Sequence, residues 1–102
     1  MKESDIQKKI LDYLRKNKLG YYAKFHNGPY GARGVSDIVG THRGIAVFIE
    51  VKSEKGRLTK LQEKFLREVR EEGAVAGVAR SVEDAKGLIS QARLMAAVLN
   101  RE

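Results

Sequence analysis

The stretch GIAVFIEVK, residues 44–52, is an apolar run that closes on an acid and a base, Glu50 and Lys52. Alternation along a strand puts Ala46, Phe48, Glu50 and Lys52 on one face and Ile45, Val47, Ile49 and Val51 on the other. Glu50 and Lys52 then share a side, with Cα atoms roughly 6.5–7 Å apart. Both charges fall at the C-terminal end of the run, where a sheet commonly opens toward solvent and ligand. Their placement points to a cleft rather than to charges forced into the core.

A third group, Asp37, comes from the preceding segment VSDIVG (35–40). Paired positions in an antiparallel hairpin have a constant sum, and paired residues face the same way. A turn centred between His42 and Arg43 pairs Val35 with Glu50 (sum 85) and leaves Asp37 one diagonal step from Glu50 on its face. A sum of 87 sets the two carboxylates directly opposite. An even sum separates them onto opposite faces, because a one-residue slip inverts a strand.

Two crowded carboxylates repel, and a single lysine does not cancel both. A hard divalent cation does. Carboxylate oxygens, a backbone carbonyl and several waters suit Mg²⁺ or Mn²⁺, with a phosphate oxygen completing the octahedral shell. The metal lowers the pKa of a bound water and polarises phosphorus, while Lys52 orients that water or offsets developing charge. The chemistry to expect is phosphodiester hydrolysis. Spacing alone is weak evidence, since an acid two places before a lysine arises about once by chance in so charged a chain. Asp84-Ala85-Lys86 is a second instance, read as capping and surface charge on a helix. Edge charge is the competing reading of Glu50 and Lys52 too. The apolar strand and the aspartate on its hairpin partner set this instance apart.

The elements that must position these residues follow from periodicity. A first helix covers 3–20, with Ile6, Ile10, Tyr13 and Leu14 at helical spacing and Gly20 as a stop. YYAKFHN (21–27) alternates as a strand, and GPYGARG (28–34) is a glycine-rich loop. Strands over 35–40 and 45–52 form a hairpin through the link THRG. A second helix over 58–73 carries a buried stripe of Leu58, Leu61, Phe65 and Val69. A buried strand over 74–79 and a third helix from Ser81, its N-cap, complete the chain. The apolar side of that helix is Leu88, Ile89, Ala92, Met95 and Leu99, core most simply, a dimer interface in the sharper reading. The order α-β-β-β-α-β-α describes an α/β protein with a mixed sheet flanked by helices.

At 102 residues the chain has room for one domain, 1–102, with one modest core. A hydrophobic share of 42% and a charged share of 32% fit a globular domain and are too apolar for a disordered one. Absent cysteines exclude disulfides and thiolate metal sites. With no signal-peptide core or run of membrane-spanning length, a cytoplasmic, membrane-free protein is expected. The net charge of +7 points to a polyanionic partner, nucleic acid before others, with mere solubility as the plain alternative.

Taken together, GVSDIVG, FIEVK and GRLTKLQ resemble the PD-(D/E)xK nuclease pattern, and the whole chain is similar to the VRR-NUC (virus-type replication-repair nuclease) family, particularly its small stand-alone phage-type members. The resemblance implies a restriction-endonuclease-like core in the order derived above. It also implies a metal-dependent nuclease akin to Holliday junction resolvases. Under it, Asp37 and Glu50 are metal ligands, Val51 lends its backbone carbonyl, and Lys52 is the catalytic lysine. Glu3 matches the acid of the family's first helix, and Gln62 matches a glutamine on the helix after the lysine. Ser36 departs from the pattern, standing where the family usually has proline; the change bears on local stiffness, not on metal binding.

Glu3 and Gln62 each carry a rival reading. SDIQ is a capping-box pattern that would make Ser4 the N-cap and leave Glu3 outside the helix. Thr59-Lys60-Leu61-Gln62 is another, in which Gln62 only caps. A lone His26 on a strand is more often packed or solvated than catalytic. Lys24, Arg33, His42, Arg43, Lys55 and Arg57 are expected around the cleft as phosphate contacts or a solvated rim, and the glycines of 28–34 as a close approach to a DNA backbone. The expectation is a Mg²⁺/Mn²⁺-dependent DNA endonuclease for branched DNA, acting as a homodimer because symmetrical cutting of a junction needs two sites about a two-fold axis. The alternatives are a nuclease or nickase for flaps, single strands or plain duplex, and a non-catalytic basic module that binds nucleic acid.

Overall fold

Ile6, Ile10, Leu11 and Leu14, recurring every three or four residues, give the first helix, α1 (Glu3–Lys16), one apolar side to bury. The computed structural model describes residues 1–25 and 34–100. His26 and Arg33, with most of the expected 28–34 loop, lie outside the described residues. After α1 come β1 (Tyr21–Lys24), β2 (Ile38–His42), β3 (Ile45–Val51), α2 (Lys60–Glu71), β4 (Val75–Ala79) and α3 (Val82–Leu99). They form one four-stranded mixed sheet in the order β1-β2-β3-β4. Pairing is antiparallel from β1 to β3 and parallel between β3 and β4. The parallel step is where α2 must cross over, as two parallel neighbours cannot be joined by a tight turn.

Both faces of the sheet are covered. Ile38, Ile45, Val47, Ile49 and Val51 share a buried cluster with the apolar sides of α1 and α3, including Leu88, Ile89, Ala92 and Ala96. The opposite face receives α2, whose Phe65 meets Phe48 edge to face with centroids 5.4 Å apart. The expected split of β3 into an apolar face and a face bearing Phe48 and Glu50 is therefore what the structure has.

Local details differ from the sequence expectation for identifiable reasons. The hairpin link is two residues, not four. Arg43 and Gly44 have φ of +53° and +89°, the left-handed pair that a tight hairpin turn needs, so Thr41 and His42 remain in β2. The α2 stripe keeps Phe65 and Val69, both half-buried, but gains Leu66 and loses Leu61. Thr59 caps the helix, Leu58 precedes it, Leu61 is 48% exposed, and Leu66 is the buried residue. Gly34 explains Leu61's surroundings: at φ +80° it crosses α2's first turn so closely that an added Cβ would sit 2.6 Å from the Leu61 carbonyl. That glycine's close approach is to protein backbone. In α1 the N-cap is Lys2, without a side-chain cap bond, so Glu3 begins the helix and the Ser4 cap is not formed. Ser81 does cap α3, accepting from Asp84 N–H. Leu99 is exposed with Leu94 and Val98 rather than joined to the core.

Candidate active site

The register decides the site. Ile38 pairs with Ile49 and Val39 with Phe48, a sum of 87 that carries Asp37 to a position opposite Glu50. The diagonal arrangement of sum 85 is replaced by the closer one, because the turn is centred one residue later. Asp37 sits just before β2, where its carbonyl accepts from Phe25 N–H at 2.8 Å and its Oδ2 accepts from Val51 N–H at 2.8 Å. The carboxylate thus satisfies a backbone donor at the end of β3 and is held there by it.

Glu50 is 2% exposed. Its Oε2 accepts from Gln62 Nε2 at 3.2 Å and lies 3.9 Å from Lys52 Nζ, while its Oε1 is buried without a hydrogen-bond partner among the described residues. Burial pushes the Glu50 carboxyl up to about 8, and the Asp37 carboxyl, within hydrogen-bonding reach, pushes the same way by sharing a proton and by charge. Lys52 opposes that rise, and Glu3 adds to it. Glu3, at the start of α1, is therefore near enough to act electrostatically on Glu50. Lys52 is 9% exposed, its N–H bonded to the Ala79 carbonyl at 3.1 Å.

Gln62 reconciles its two readings. Its backbone N–H donates to Thr59 Oγ1 and its Oε1 accepts from Thr59 N–H, a complete capping box. With Oε1 so engaged, the amide's nitrogen is the end that turns to Glu50. The cap orients the site residue.

Ser36, the departure from proline, is fully buried, and its Oγ has no partner among the described residues. Asp37 reaches Val51 and Glu50 regardless. Asp84 and Lys86 behave as helix-end charges: Asp84 accepts from Arg80 N–H, and Lys86 pairs with Glu83 at 2.9 Å.

The expected cationic rim divides. Lys55 and Arg57 are exposed on the link that follows Lys52, and Lys24 is exposed at the end of β1, paired with Ile38. His42 and Arg43 do not join them. They occupy the hairpin turn at the other end of β2, five residues and roughly 16 Å along the strand from Asp37. His42 faces the core, paired with Ile45 and 4% exposed. Burial holds its imidazole below the ordinary range, helped by Arg43 and Arg93 and opposed by a hydrogen bond to the Leu19 carbonyl. An imidazole 4% exposed and turned into the core does not present itself to a phosphate. Alternation from Ile38 places residue 42 on the same face; the four-residue link expected over 41–44 hid that signal.

The chemistry of the pair suits a divalent cation. When both carboxyls are ionised no proton lies between them, and Glu50 Oε1 is then buried without a partner among the described residues. Among the described residues no group of three or more His, Asp or Glu side chains could hold a metal alone. Two carboxylates would therefore rely on backbone carbonyl, water or substrate oxygens for the rest of an octahedral shell.

Comparison with known proteins agrees with this geometry. The VRR-NUC domain family model matches residues 1–83. A solved structure described as a VRR_NUC domain is similar at 27% identity, with a TM-score of 0.68 over 86% of this chain and 94% of the other. No curated protein matches the chain. The family implies a nuclease of the PD-(D/E)xK type. On the match over residues 1–83 and the shared fold, the chain belongs to the VRR-NUC domain family.

Proposed function

We propose that this protein is a Mg²⁺- or Mn²⁺-dependent DNA endonuclease that acts on branched DNA as a homodimer. The observation that carries the metal-dependent reading is the Asp37–Glu50 pair, opposed across β2 and β3 with Glu50 Oε1 buried and, among the described residues, unpartnered. Asp37 and Glu50 would hold the cation, with the Val51 carbonyl and Glu3 as further contributors. When bound, a divalent cation lowers the pKa of a water and polarises the phosphoryl oxygen. Gln62 keeps Glu50 Oε2 engaged and so leaves Oε1 for that role. Lys52, beside Glu50, can hydrogen-bond the attacking water or offset charge building on the phosphate. Lys24, Lys55 and Arg57 supply exposed cations near the same end of the sheet for the DNA backbone.

Preference for branched DNA rests on likeness to resolvases, and the homodimer on the two-fold symmetry of a junction cut in both strands. Labelled four-way junction, flap and linear duplex, each incubated with Mg²⁺ or Mn²⁺, test the whole reading. Junction cleavage that disappears in Lys52→Ala, with binding retained, supports it. Equal cutting of every substrate removes the junction preference. Binding without cleavage in both metals leaves a nucleic-acid-binding module.

A further inference from the structure

Arg80 follows β4 by one residue, and its Nη1 reaches back to the link between β3 and α2. It donates to the Ser53 carbonyl at 2.6 Å and the Gly56 carbonyl at 2.7 Å, with the Glu54 carbonyl at 3.3 Å. These carbonyls converge because the link folds on itself, Gly56 N–H donating to Ser53 O at 3.1 Å. One residue earlier, the Ala79 carbonyl accepts from Lys52 N–H. Two consecutive residues at the end of β4 thus grip the chain from Lys52 to Gly56. The turn they close lies against the lysine's own stem: a Cβ on Gly56 would come 3.4 Å from Lys52 Cδ and 3.2 Å from Ser53 Oγ.

Among the described residues no carboxylate forms an ion pair with the Arg80 guanidinium, and its backbone N–H is itself tied to Asp84 Oδ2 at 2.9 Å. Its Nη1 is committed to backbone carbonyls, all three contacts leaving that one nitrogen. A lysine ammonium also donates from one nitrogen but on a shorter stem, so it replaces the arginine incompletely.

We propose that Arg80 is a positioning residue for phosphodiester hydrolysis: its bracket on Ser53, Glu54 and Gly56 fixes the turn that holds Lys52 at the reacting phosphate. The role rests on the nuclease reading above. Arg80 touches neither substrate nor metal in it and acts through Lys52.

Full-length wild type, Arg80→Ala, Arg80→Lys and Lys52→Ala are compared in single-turnover cleavage of labelled junction and duplex DNA, with and without low-millimolar guanidinium chloride. Amide hydrogen exchange at Gly56 is followed in parallel. Arg80→Ala should lose about tenfold or more in cleavage rate, since small misplacements of a catalytic group are costly, while DNA affinity stays near wild type. Guanidinium ion should recover part of the rate in Arg80→Ala and none in Lys52→Ala. Arg80→Lys should fall between wild type and Arg80→Ala. Exchange at Gly56 should quicken in Arg80→Ala and slow again with guanidinium. Cleavage by Arg80→Ala at the wild-type rate, a loss that neither guanidinium nor lysine recovers, or unchanged exchange at Gly56 overturns the positioning role alone. Wild type that cuts no DNA in either metal overturns the nuclease reading beneath it, which the exchange measurement distinguishes.

Discussion

Replacing Glu50 by glutamine keeps the side chain's shape and the acceptor that Gln62 uses, and gives the Asp37 carboxylate a second donor beside Val51 N–H. The substitution should abolish cleavage and also stabilise the metal-free protein at alkaline pH. In the wild type the Glu50 carboxyl is pushed up to about 8 by burial and by Asp37, so the folded state holds a proton that the unfolded state releases in the ordinary carboxylate range. The contribution is fully present below that range and is lost as pH rises through about 8. Each pH unit between the two values is worth about 1.4 kcal/mol, which bounds the total near 5 kcal/mol. Relaxation and water entry, reflected in an effective dielectric of about 20, bring the expected gain of Glu50→Gln to about 2 kcal/mol at pH 9. At pH 4 the two proteins should be nearly equal. Urea unfolding of both in EDTA, from pH 4 to 9, measures the difference directly, and other titrating groups cancel in it. Addition of Mn²⁺ at pH 8 should then stabilise wild type, by about 2.7 kcal/mol at a hundredfold excess over Kd, and leave Glu50→Gln unmoved. A Glu50→Gln protein that is less stable than wild type at pH 9, or a difference flat across pH, refutes the account of this pair.

Asp37→Asn retains an acceptor for Val51 N–H, so it should fold with near-wild-type stability and lose cleavage by about a hundredfold or more; Asp37→Ala should in addition cost about 1–2 kcal/mol in urea unfolding, because the Val51 donor is left unpaired. Lys55→Ala and Arg57→Ala should each lower the slope of log affinity against log salt by about 1 in DNA titrations. Arg43→Ala, at the far turn, should leave that slope unchanged. Ser36→Ala should stabilise the fold by about 1 kcal/mol in thermal or urea melts, since it removes a buried hydroxyl that has no partner among the described residues.

Much of the fold can be read from alternation and helical spacing. Ile45, Val47, Ile49 and Val51 against Ala46, Phe48 and Glu50 fix which side of β3 is core, because the pleat has a period of two wherever the strand begins. Helix ends were less legible where a cap competed. The SDIQ pattern pointed to Ser4, yet the helix starts at Glu3, and only packing of α1 on the sheet settles that. In α2, Phe65 and Val69 keep the expected side, but Leu61 leaves it because it sits at the first turn, beside Gly34 rather than over the sheet.

The acids and the lysine, their residue types and their position at a strand end, were determined by the sequence itself. Whether Asp37 meets Glu50 was not, since one hairpin turn centred a residue earlier or later changes the partner without changing any composition. The positive φ values of Arg43 and Gly44 settled the register. Long-range closeness decided the remainder: Gln62 from α2 on Glu50, Arg80 from β4 on the Ser53–Gly56 turn, and His42 withdrawn into the core. Such contacts join residues 12 to 27 positions apart. Local periodicity carries no information over that distance, because it is set by how the helices pack on a twisted sheet rather than by neighbours along the chain.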